Sequence, residues 1–227
     1  APARAGVPAL RLSPGVSFLD SLLLWWHRAK TRGKMDRVFS RGEDPYGYRR
    51  SPYERERLAA MGRSLAGRRY ARALEIGCAE GAFTESLAEA CDAVTALDIS
   101  PVALGRARGR GDLRPRVEFV EADMRDWAPP AQRRYDLIVL GDVLYYLDKP
   151  LVGKSFEESF PRLRGWLAPA GRLILAHGFA GEGELRHRQG FRERFEGLGL
   201  KLVSESVIGR EVSQGGVCCR LSVLEDV

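Results

Sequence analysis

From residue 70 onward, short apolar runs alternate with stretches whose apolar residues have helical spacing. A chain that alternates strands with helices in this way builds a largely parallel sheet with helices on both of its faces. We therefore predict an α/β fold, a Rossmann-like doubly wound sheet of seven mostly parallel strands. The last two runs are joined by a short Gly-containing loop, which predicts an antiparallel last strand. The predicted strands are residues 71–76, 93–98, 117–121, 135–141, 172–177, 201–208 and 216–224.

The chain before residue 70 predicts two further segments. Residues 1–16 contain three prolines and are expected to form a flexible arm. Residues 17–69 are expected to form N-terminal helices and a lid, and residues 70–227 to form the domain that binds the ligand. A chain of 227 residues is long enough for such a domain to bury a core without disulfides.

Two helices are predicted within the lid segment. The first spans residues 17–29, and we expect it to pack as a lid or as a contact in a homodimer. Its predicted apolar face consists of Phe18, Leu22, Trp25 and Ala29. The second helix begins at Pro52, where Ser51 is a suitable cap and Glu54 can reach back in a capping box, and it should end near Gly67.

The composition excludes several classes of protein. No apolar run approaches the roughly 18–20 residues that a membrane-spanning helix needs. The four cysteines include no CxxC pair and no Cys/His cluster, so we predict neither a zinc site nor a disulfide framework. No acidic cluster typical of a Mg²⁺ site is present either, and we expect no metal. Cysteines without a pairing pattern indicate a reducing, cytoplasmic location, and we expect no association with membranes.

Charge is distributed unevenly along the chain. Residues 1–72 carry 16 Lys and Arg against 6 Asp and Glu, whereas residues 73–227 carry 20 against 24. A basic N-terminal third can attract phosphates, nucleic acid or another anion. The same pattern is typical of a solvated helical surface, and the sequence leaves both interpretations open.

The turn after the first predicted strand is the strongest sign of a ligand site. Small residues at Gly77, Ala79 and Gly81 allow the backbone to approach a ligand where a strand leads into a helix. Asp98 closes the second strand 21 residues after Gly77. A carboxylate in that place can bind both hydroxyl groups of a ribose. Taken alone, these features also fit a dinucleotide-binding enzyme.

Three details argue against a dinucleotide. The turn is spaced Gly-x-Ala-x-Gly and lacks the GxGxxG phosphate fingerprint. Glu75 precedes the turn, where it would repel a pyrophosphate but attract the ammonium group of a cationic ligand. Asp123 and Met124 follow the third strand, where a carboxylate can accept a hydrogen bond from an adenine amine and a thioether can pack on its ring.

With these features, residues 70–178 resemble the class I S-adenosylmethionine-dependent methyltransferases. The ExGxGxG motif of that family appears at residues 75–81, with Ala79 in place of the middle glycine. The resemblance implies that S-adenosylmethionine is the cofactor and S-adenosylhomocysteine the product. The residues that it implies for binding the cofactor are Glu75, Gly77, Cys78, Ala79, Gly81, Asp98, Ile99, Asp123, Met124 and Gly141.

The resemblance also divides these residues among the parts of the cofactor. The glycine-rich turn is expected to cradle the methionine part, and Asp98 to bind the ribose. Asp123 and Met124 are expected to hold the adenine, while Gly141 and Asp142 line the pocket.

A narrower resemblance, to the nodulation protein S group of N-methyltransferases, extends upstream to residue 44. It is carried by residues 44–46, Ser51, residues 53–54, Tyr70 and the segments 73–78, 91–100 and 135–147. Members of that group methylate the amine of a glucosamine-type sugar at the end of a chitin oligomer. The resemblance therefore implies a small-molecule acceptor, an amine-bearing sugar.

Asp44-Pro45-Tyr46 is also similar to the (D/N)PPY motif of nucleic-acid amino-methyltransferases. Here the second proline is missing and the tripeptide precedes a helix. We interpret it as a turn or lid element, with Tyr46 and Tyr48 facing the site and Tyr53 beside them. Nucleic acid is therefore not the expected acceptor.

Methyl transfer to an amine or a hydroxyl favours a base near the carboxyl edge of the sheet. His177, at the end of the fifth strand, is the first candidate, because its unperturbed pKa of about 6.5 suits accepting a proton. It can equally be a structural residue. Asp142 is the second candidate, either to orient the amine or to bind the methionine ammonium, and its alternative is a loop carboxylate in water.

Tyr145 and Tyr146 are expected to shape an acceptor pocket. One of the two is expected only to pack, because adjacent residues point in different directions. His27 and His187 have no supporting context and are expected at the surface.

These patterns together predict an S-adenosylmethionine-dependent methyltransferase that acts on a small molecule. The favoured reaction is N-methylation of an amino sugar or a related amine in natural-product or oligosaccharide biosynthesis. The first alternative is O-methylation of a natural-product hydroxyl. Alternatives of another class are an RNA-binding methyltransferase that uses the basic N-terminal third, and a catalytically inactive module that keeps the cofactor fold.

Overall fold

The computed structural model describes residues 18–110, 113, 116–210 and 216–227. In this part of the chain, seven strands form one sheet in the order β3-β2-β1-β4-β5-β7-β6. The strands are β1 (Tyr70–Ile76), β2 (Cys91–Asp98), β3 (Val117–Glu121), β4 (Tyr135–Gly141), β5 (Leu167–Phe179), β6 (Leu200–Ile208) and β7 (Cys218–Asp226). The first five strands run parallel, whereas β7 pairs antiparallel with both β5 and β6. The predicted doubly wound sheet with an antiparallel last strand is confirmed.

The strand order reverses between β1 and β4, and this reversal creates the place for a ligand. The chain runs outward from β1 through β2 to β3 and then returns to place β4 on the other side of β1. The connections after β1 and β4 therefore leave in opposite directions, and a crevice opens at the carboxyl ends of these two strands. The glycine-rich turn that begins at Gly77 and the residues from Gly141 onward border this crevice.

Helices cover both faces of the sheet and its carboxyl edge. They are α1 (Phe18–Ser40), α2 (Pro52–Arg63), α3 (Thr84–Ala90), α4 (Pro101–Arg108), α5 (Leu144–Leu147), α6 (Gly153–Trp166) and α7 (Glu182–Gly197), with a 3-10 turn at Pro150–Val152. The short helix α5 and the 3-10 turn were not predicted from the sequence. The predicted arm at residues 1–16 lies outside the described residues, and the division of the chain at residue 70 stays a prediction.

The first helix differs most from its prediction. It continues to Ser40, eleven residues beyond the predicted end at residue 29. The predicted apolar face is not the buried face, because Phe18 is 65% exposed and Leu22 is 38% exposed. The side chains that α1 buries are Ser21, His27, Arg28, Met35 and Phe39. This helix is therefore held mainly by polar contacts and by two apolar residues near its end.

The second helix begins as predicted, with Pro52 in its first turn. The Ser51 hydroxyl accepts a hydrogen bond from the backbone N–H of Glu54 at 3.4 Å. The reciprocal half of the capping box is absent, because the Glu54 carboxylate binds Arg57 instead of the backbone N–H of Ser51. The helix ends at Arg63 rather than near Gly67.

Two apolar clusters stabilise the sheet, one on each face. On one face, α2, α3 and α4 contribute Met61, Leu87 and Leu104, all buried. On the other face, α6 and α7 contribute four phenylalanine side chains that pack edge to face or tilted against one another. These are Phe156, Phe160, Phe191 and Phe195, with ring centroids 5.1–5.9 Å apart in the three contacting pairs. Among the described residues, no helix is long and apolar enough to cross a bilayer.

Replacing Phe160 with alanine should destabilise the protein strongly. Phe160 is 2% exposed and contacts two other rings, so its removal leaves a cavity that the surrounding side chains cannot refill. We expect Phe160→Ala to lower the free energy of unfolding by about 3–5 kcal/mol. Urea denaturation followed by circular dichroism measures this change.

The control is Phe18→Ala, which removes the same ring from a side chain that is 65% exposed. We expect that change to stay within about 0.5 kcal/mol of the unmodified protein. Equal effects of the two substitutions would contradict the assignment of the phenylalanine cluster to the core.

Candidate functional site

The glycine-rich turn after β1 is held against the end of β2 by a buried carboxylate. Asp98 accepts a hydrogen bond from the backbone N–H of Ala79 at 2.9 Å on Oδ2 and from that of Ser100 at 2.8 Å on Oδ1. The N–H of Gly77 donates to the carbonyl of Leu97 at 2.8 Å. Burial raises the pKa of Asp98 to about 6, although these backbone bonds act to lower it. Each carboxylate oxygen keeps a second lone pair with which it can accept from a ligand hydroxyl.

Gly77 is the position in this turn that requires glycine. Its φ is +82°, a conformation that residues with a Cβ rarely adopt. A Cβ at Gly77 would also lie 2.9 Å from the carbonyl oxygen of Gly141, at the end of β4. The ends of the two central strands therefore approach each other as closely as a glycine permits.

A cavity of about 400 Å³ opens at this edge of the sheet. Its wall includes seven of the ten residues predicted to bind the cofactor, namely Gly77, Ala79, Asp98, Ile99, Asp123, Met124 and Gly141. It also includes Asp142 and the five predicted tyrosines, Tyr46, Tyr48, Tyr53, Tyr145 and Tyr146. The structure thus brings most of the predicted residues together around one space, and their contacts with a ligand stay a prediction.

Three of the predicted cofactor residues lie behind this wall. Glu75 is 4% exposed, and its Oε2 accepts a hydrogen bond from the Thr84 hydroxyl at 2.6 Å. Burial raises the pKa of Glu75 to about 7, so its charge is poorly placed to attract an ammonium group across the turn. Cys78 is buried, and Gly81 donates its backbone N–H to the carbonyl of Cys78 at 2.8 Å. These three residues shape the turn from behind.

Asp123 and Met124 border the cavity after β3, and Asp123 has a strong partner. Arg125 donates from Nε to Asp123 Oδ1 at 2.9 Å and from Nη2 to Oδ2 at 2.5 Å. Burial acts to raise the pKa of Asp123, but the hydrogen bonds and charge of Arg125 outweigh it and hold this pKa below its usual value. Asp123 is therefore an ionised acceptor in a fixed orientation, as hydrogen bonding to an adenine amine requires.

Helix α1 forms a roof over this end of the cavity. Three of its residues, Thr31, Met35 and Phe39, line the cavity. Four of its polar side chains bind residues at or after the ends of β2 and β3. These contacts join His27 to Arg125 at 3.1 Å, Arg28 to Asp126, Arg32 to Glu121 at 2.6 Å and Asp36 to the Ser100 hydroxyl at 2.6 Å. These contacts fix α1 over the cavity, and its role as a lid stays a prediction.

Of the two histidines that were expected at the surface, His27 and His187, the prediction for His27 was wrong. His27 was expected at the surface but is 8% exposed, because α1 lays it against Arg125. His187 lies at the surface as expected, where it contacts Asp148 and Arg188.

The segment between α1 and α2 carries two of the tyrosines into the cavity wall. Asp44 adopts a positive φ of 60°, and its carboxylate accepts from the backbone N–H groups of Tyr48 at 2.6 Å and Arg49 at 3.0 Å. The ring of Tyr46 packs against Phe39 and Tyr48 with centroid distances of 5.6 and 5.9 Å. The tripeptide at residues 44–46 therefore lies in a turn between α1 and α2, and its role in a lid stays a prediction.

Tyr145 and Tyr146 both reach the cavity, which corrects the expectation that one of them only packs. They lie in α5, where consecutive side chains are separated by about 100° rather than pointing to opposite sides. Their ring centroids are 4.6 Å apart, so the two rings form one continuous patch. The expectation failed because this helix was not predicted.

A buried arginine joins α2 to the end of β4. Arg57, which is 5% exposed, donates from Nε and Nη2 to Glu54 Oε2 at 2.9 and 2.8 Å. Its Nη1 lies 3.1 Å from Asp142 Oδ2, and Asp142 Oδ1 accepts from the backbone N–H of Gly178 at 2.7 Å. Asp142 is therefore held by two partners and is not a loop carboxylate in water. Burial raises the pKa of Glu54 although Arg57 acts to lower it.

His177 does not lie on the wall of the cavity. It is 2% exposed, and its Nε2 faces the backbone N–H of Leu144 at 3.4 Å. Its ring packs against Tyr145 and Phe191. Burial lowers the pKa of His177 to about 4, although Asp142 acts to raise it. This placement agrees with the structural alternative and not with a base in contact with the acceptor.

Helix α7 forms another part of the cavity wall. Arg188 donates from Nε to the carbonyl of Gly178 at 2.8 Å, and its guanidinium carbon lies 4.5 Å from the ring centroid of Tyr145. Glu184 lines the cavity beside it. The guanidinium group of Arg188, stacked on Tyr145, borders the patch of Tyr145 and Tyr146 on one side.

Sequence reasoning missed more than half of the residues of the wall, including all of those from α1 and α7 and two charged residues of α2. Those missed from α1, α2 and α7 are Thr31, Met35, Phe39, Glu54, Arg57, Glu184 and Arg188. The only sequence pattern that could have indicated any of them is the i, i+3 spacing of Glu54 and Arg57. Such pairs are common on helical surfaces, and the spacing does not show which way the pair faces. Among the described residues, no group of three or more His, Cys, Asp or Glu side chains could hold a metal ion.

Comparison with known proteins agrees with this geometry. The family model described as nodulation protein S matches residues 34–178. A nodulation protein S of Sinorhizobium fredii is 37% identical over 134 residues, which cover 59% of this chain and 60% of that protein. A nodulation protein S of Bradyrhizobium diazoefficiens is 34% identical over 185 residues, which cover 81% of this chain and 83% of that protein. The match thus spans less than two thirds of the first relative and most of the second.

A solved structure extends the similarity to the fold. The crystal structure of the N-methyltransferase NodS from Bradyrhizobium japonicum WM9 in complex with S-adenosyl-L-homocysteine superimposes with a TM-score of 0.73. Its sequence is 28% identical, and the superposition covers 86% of this chain and 98% of that one.

Replacing Gly77 with alanine should disrupt the turn that faces the cavity. The new Cβ would need a left-handed backbone, which costs about 1–2 kcal/mol, and would press on the carbonyl of Gly141. We expect Gly77→Ala to weaken the binding of S-adenosylhomocysteine by about tenfold or more, as measured by titration calorimetry.

Gly105→Ala is the matched control. Gly105 lies in α4, and a Cβ there has nothing within 4 Å. We expect unchanged affinity and a slightly higher free energy of unfolding, since alanine favours a helix over glycine by about 1 kcal/mol. Unchanged affinity in Gly77→Ala would show that the turn does not approach the ligand.

Proposed function

The chain belongs to the nodulation protein S family of S-adenosylmethionine-dependent methyltransferases, and we propose that it methylates the amine of a small molecule, an amino sugar or a related compound. The observation that carries this proposal is the acceptor end of the cavity. Two carboxylates, Glu54 and Asp142, face that end among five tyrosine rings. An acceptor that arrives as an ammonium ion needs both a negative partner and a group that removes its proton.

The cavity fits the cofactor of the family. The close approach at Gly77 leaves space where a Cβ would otherwise stand, and Asp98 has acceptor capacity for two hydroxyl groups. Asp123 is held ionised for the adenine amine, and Met124 lies beside it. When bound, the cofactor supplies a methyl group on a positively charged sulfur, ready for displacement by a nucleophile.

The residues of the chain position the acceptor. Displacement requires the amine nitrogen in line with the bond that breaks, and orientation of this kind accounts for roughly 7–11 kcal/mol in well-aligned reactions. The patch of Tyr145 and Tyr146 and the ring of Tyr53 offer flat apolar faces on which a sugar ring can pack. Asp142, held by Arg57 and Gly178, is rigid enough to orient a hydrogen-bonding acceptor.

We assign the removal of the amine proton to Glu54. Both bonds from Arg57 go to Oε2, so Oε1 is the oxygen that we assign to the acceptor. Burial raises the pKa of this carboxylate, which makes it a stronger base than a carboxylate in water. The neutral amine then forms the new carbon–nitrogen bond while the carbon–sulfur bond breaks, and the electron pair of that bond stays on sulfur.

His177 has a different role in this proposal. It packs beneath Tyr145 and faces the N–H of Leu144, the first residue of α5. We propose that it holds α5, which carries the two tyrosines, and that it does not exchange protons with the acceptor.

The cofactor and the acceptor class are tested by titration. S-adenosylmethionine and S-adenosylhomocysteine should bind, NAD should not, and Asp98→Ala should weaken binding at least about tenfold, because a buried acceptor for two hydroxyl groups is lost. An acceptor screen then compares glucosamine oligomers and simple amines with hydroxyl compounds, with mass spectrometry as the readout for N-methyl products. Methylation of hydroxyl groups alone would contradict the proposed acceptor.

The role of Glu54 is tested by Glu54→Gln, which keeps an oxygen for Arg57 but cannot accept the proton. We expect kcat to fall by about 10²-fold or more, while the KM for the cofactor stays unchanged. Glu56→Gln, an exposed residue two positions along the same helix, should leave the rate unchanged. A rate in Glu54→Gln equal to that of the unmodified protein would remove Glu54 from the mechanism.

A further inference from the structure

A histidine of the roof helix is locked in its neutral form by an arginine. The Nδ1 atom of His27 lies 3.1 Å from Nη1 of Arg125, and both side chains are buried. A guanidinium group has only donors and stays protonated, so Nδ1 of His27 must be the acceptor in this bond. The proton of the imidazole ring is therefore on Nε2, and the ring carries no charge.

The charges that surround His27 favour the same form. Burial lowers the pKa of His27 to about 4, and the next largest cause is the positive charge of Arg125. Lys149, which precedes the 3-10 turn, and Lys30 of α1 also lower this pKa, whereas Asp123 raises it. Protonation at Nδ1 would place one N–H against another and add a second positive charge beside the guanidinium group.

The same arginine fixes a carboxylate of the cofactor site. Arg125 binds Asp123 through Nε and Nη2, and its backbone N–H also donates to Asp123 Oδ1 at 2.9 Å. The Arg125 side chain is 1% exposed. His27 occupies Nη1, the one terminal nitrogen of the guanidinium group that does not bind Asp123. Asp123 on one edge and His27 on the other thus fix the orientation of the guanidinium plane.

We propose that His27 is a positioning residue for adenine recognition, because it holds Arg125 in the orientation that presents Asp123 to the 6-amino group of the cofactor. This inference rests on the proposed role of Asp123. His27 lies outside residues 34–178, the part of the chain that the family model matches. The contacts from His27 through Arg125 to Asp123, which we call the relay, therefore link the roof helix to the part of the site that the family model matches.

Loss of the histidine has a specific consequence. In His27→Ala, Nη1 of Arg125 is left buried without an acceptor, and the guanidinium group must turn to find one. Asp123 follows its partner and loses alignment with the adenine amine. The glycine-rich turn and Asp98 do not contact His27, so the binding of the ribose and of the methionine part is retained.

The test compares two ligands in the full chain by titration calorimetry at neutral pH. One ligand is S-adenosylhomocysteine, and the other is its analogue with hydrogen in place of the 6-amino group of the purine. The proteins are the unmodified chain, His27→Ala, His27→Gln and Arg37→Ala. Arg37 is the matched control, because it is exposed on the same helix and, among the residues that the structure describes, bonds only the helix carbonyl of Gly33.

The unmodified chain and Arg37→Ala should prefer S-adenosylhomocysteine over the analogue by about tenfold or more, since a hydrogen bond to a charged group is lost. His27→Ala should reduce this preference to about twofold by weakening only the ligand with the amine. His27→Gln should restore the preference, because the amide oxygen can accept from Arg125. A merely structural role would weaken both ligands equally, and that result, or an unchanged preference in His27→Ala, would overturn the proposal.

A second measurement does not depend on any variant. In the unmodified protein labelled with ¹⁵N, the imidazole of His27 should show an unprotonated Nδ1 and a protonated Nε2 at pH 7. A charged ring, or a proton on Nδ1, would overturn the proposal even if His27→Ala failed to fold.

Failure of the proposed function has its own signature. If the unmodified chain binds neither ligand, the assignment of the cofactor cavity is wrong. If it binds both ligands equally, the cavity stands, but Asp123 does not read the amine and the relay through His27 is refuted.

Discussion

Two turns of backbone at the carboxyl edge of the sheet are joined by one buried carboxylate. Asp98 receives the N–H of Ala79 from the turn after β1 and the N–H of Ser100 from the turn after β2. Ser100 in turn donates its hydroxyl to Asp36 of the roof helix. Burying the charge of Asp98 away from water costs free energy, and the raised pKa of Asp98 is a consequence of this burial. The arrangement is stable because fixed backbone dipoles replace the lost water, and the same dipoles leave acceptor capacity facing the cavity.

The helices α1 and α2 contact opposite ends of this cavity by similar means. In α1, His27 reaches Arg125 and through it the carboxylate beside the adenine position. In α2, Arg57 reaches Asp142 at the acceptor end. Each contact places a buried guanidinium group between a helix and a carboxylate of the site. A buried guanidinium group without partners costs free energy. These contacts therefore hold each helix at a defined distance from the sheet.

The sequence predicts the sheet well because its signals are local. The strands β3 and β4 begin and end where the apolar runs do. The positions of Gly77 in the turn after β1 and of Asp98 at the end of β2 were likewise predicted from short motifs. The errors concern contacts between distant parts of the chain. His27 lies 98 residues from Arg125, and nothing in the spacing of α1 indicates that a polar side chain is the buried one. The length of α1 and the existence of α5 also depend on packing, which the periodicity of a short segment does not encode.

The cavity is a single continuous space, and this has a kinetic consequence. The residues at the adenine end, the turn at Gly77 and the tyrosines at the acceptor end all line the same volume of about 400 Å³. Under the proposed direct displacement, donor and acceptor occupy this volume together, which corresponds to a sequential mechanism without a methylated enzyme intermediate and not to ping-pong turnover. The spent donor differs from the fresh one by one methyl group and by the positive charge on its sulfur, and under the proposed binding it keeps its contacts with Asp98 and Asp123. The proposed contacts therefore imply inhibition by the product, and steady turnover would depend on continual removal of that product.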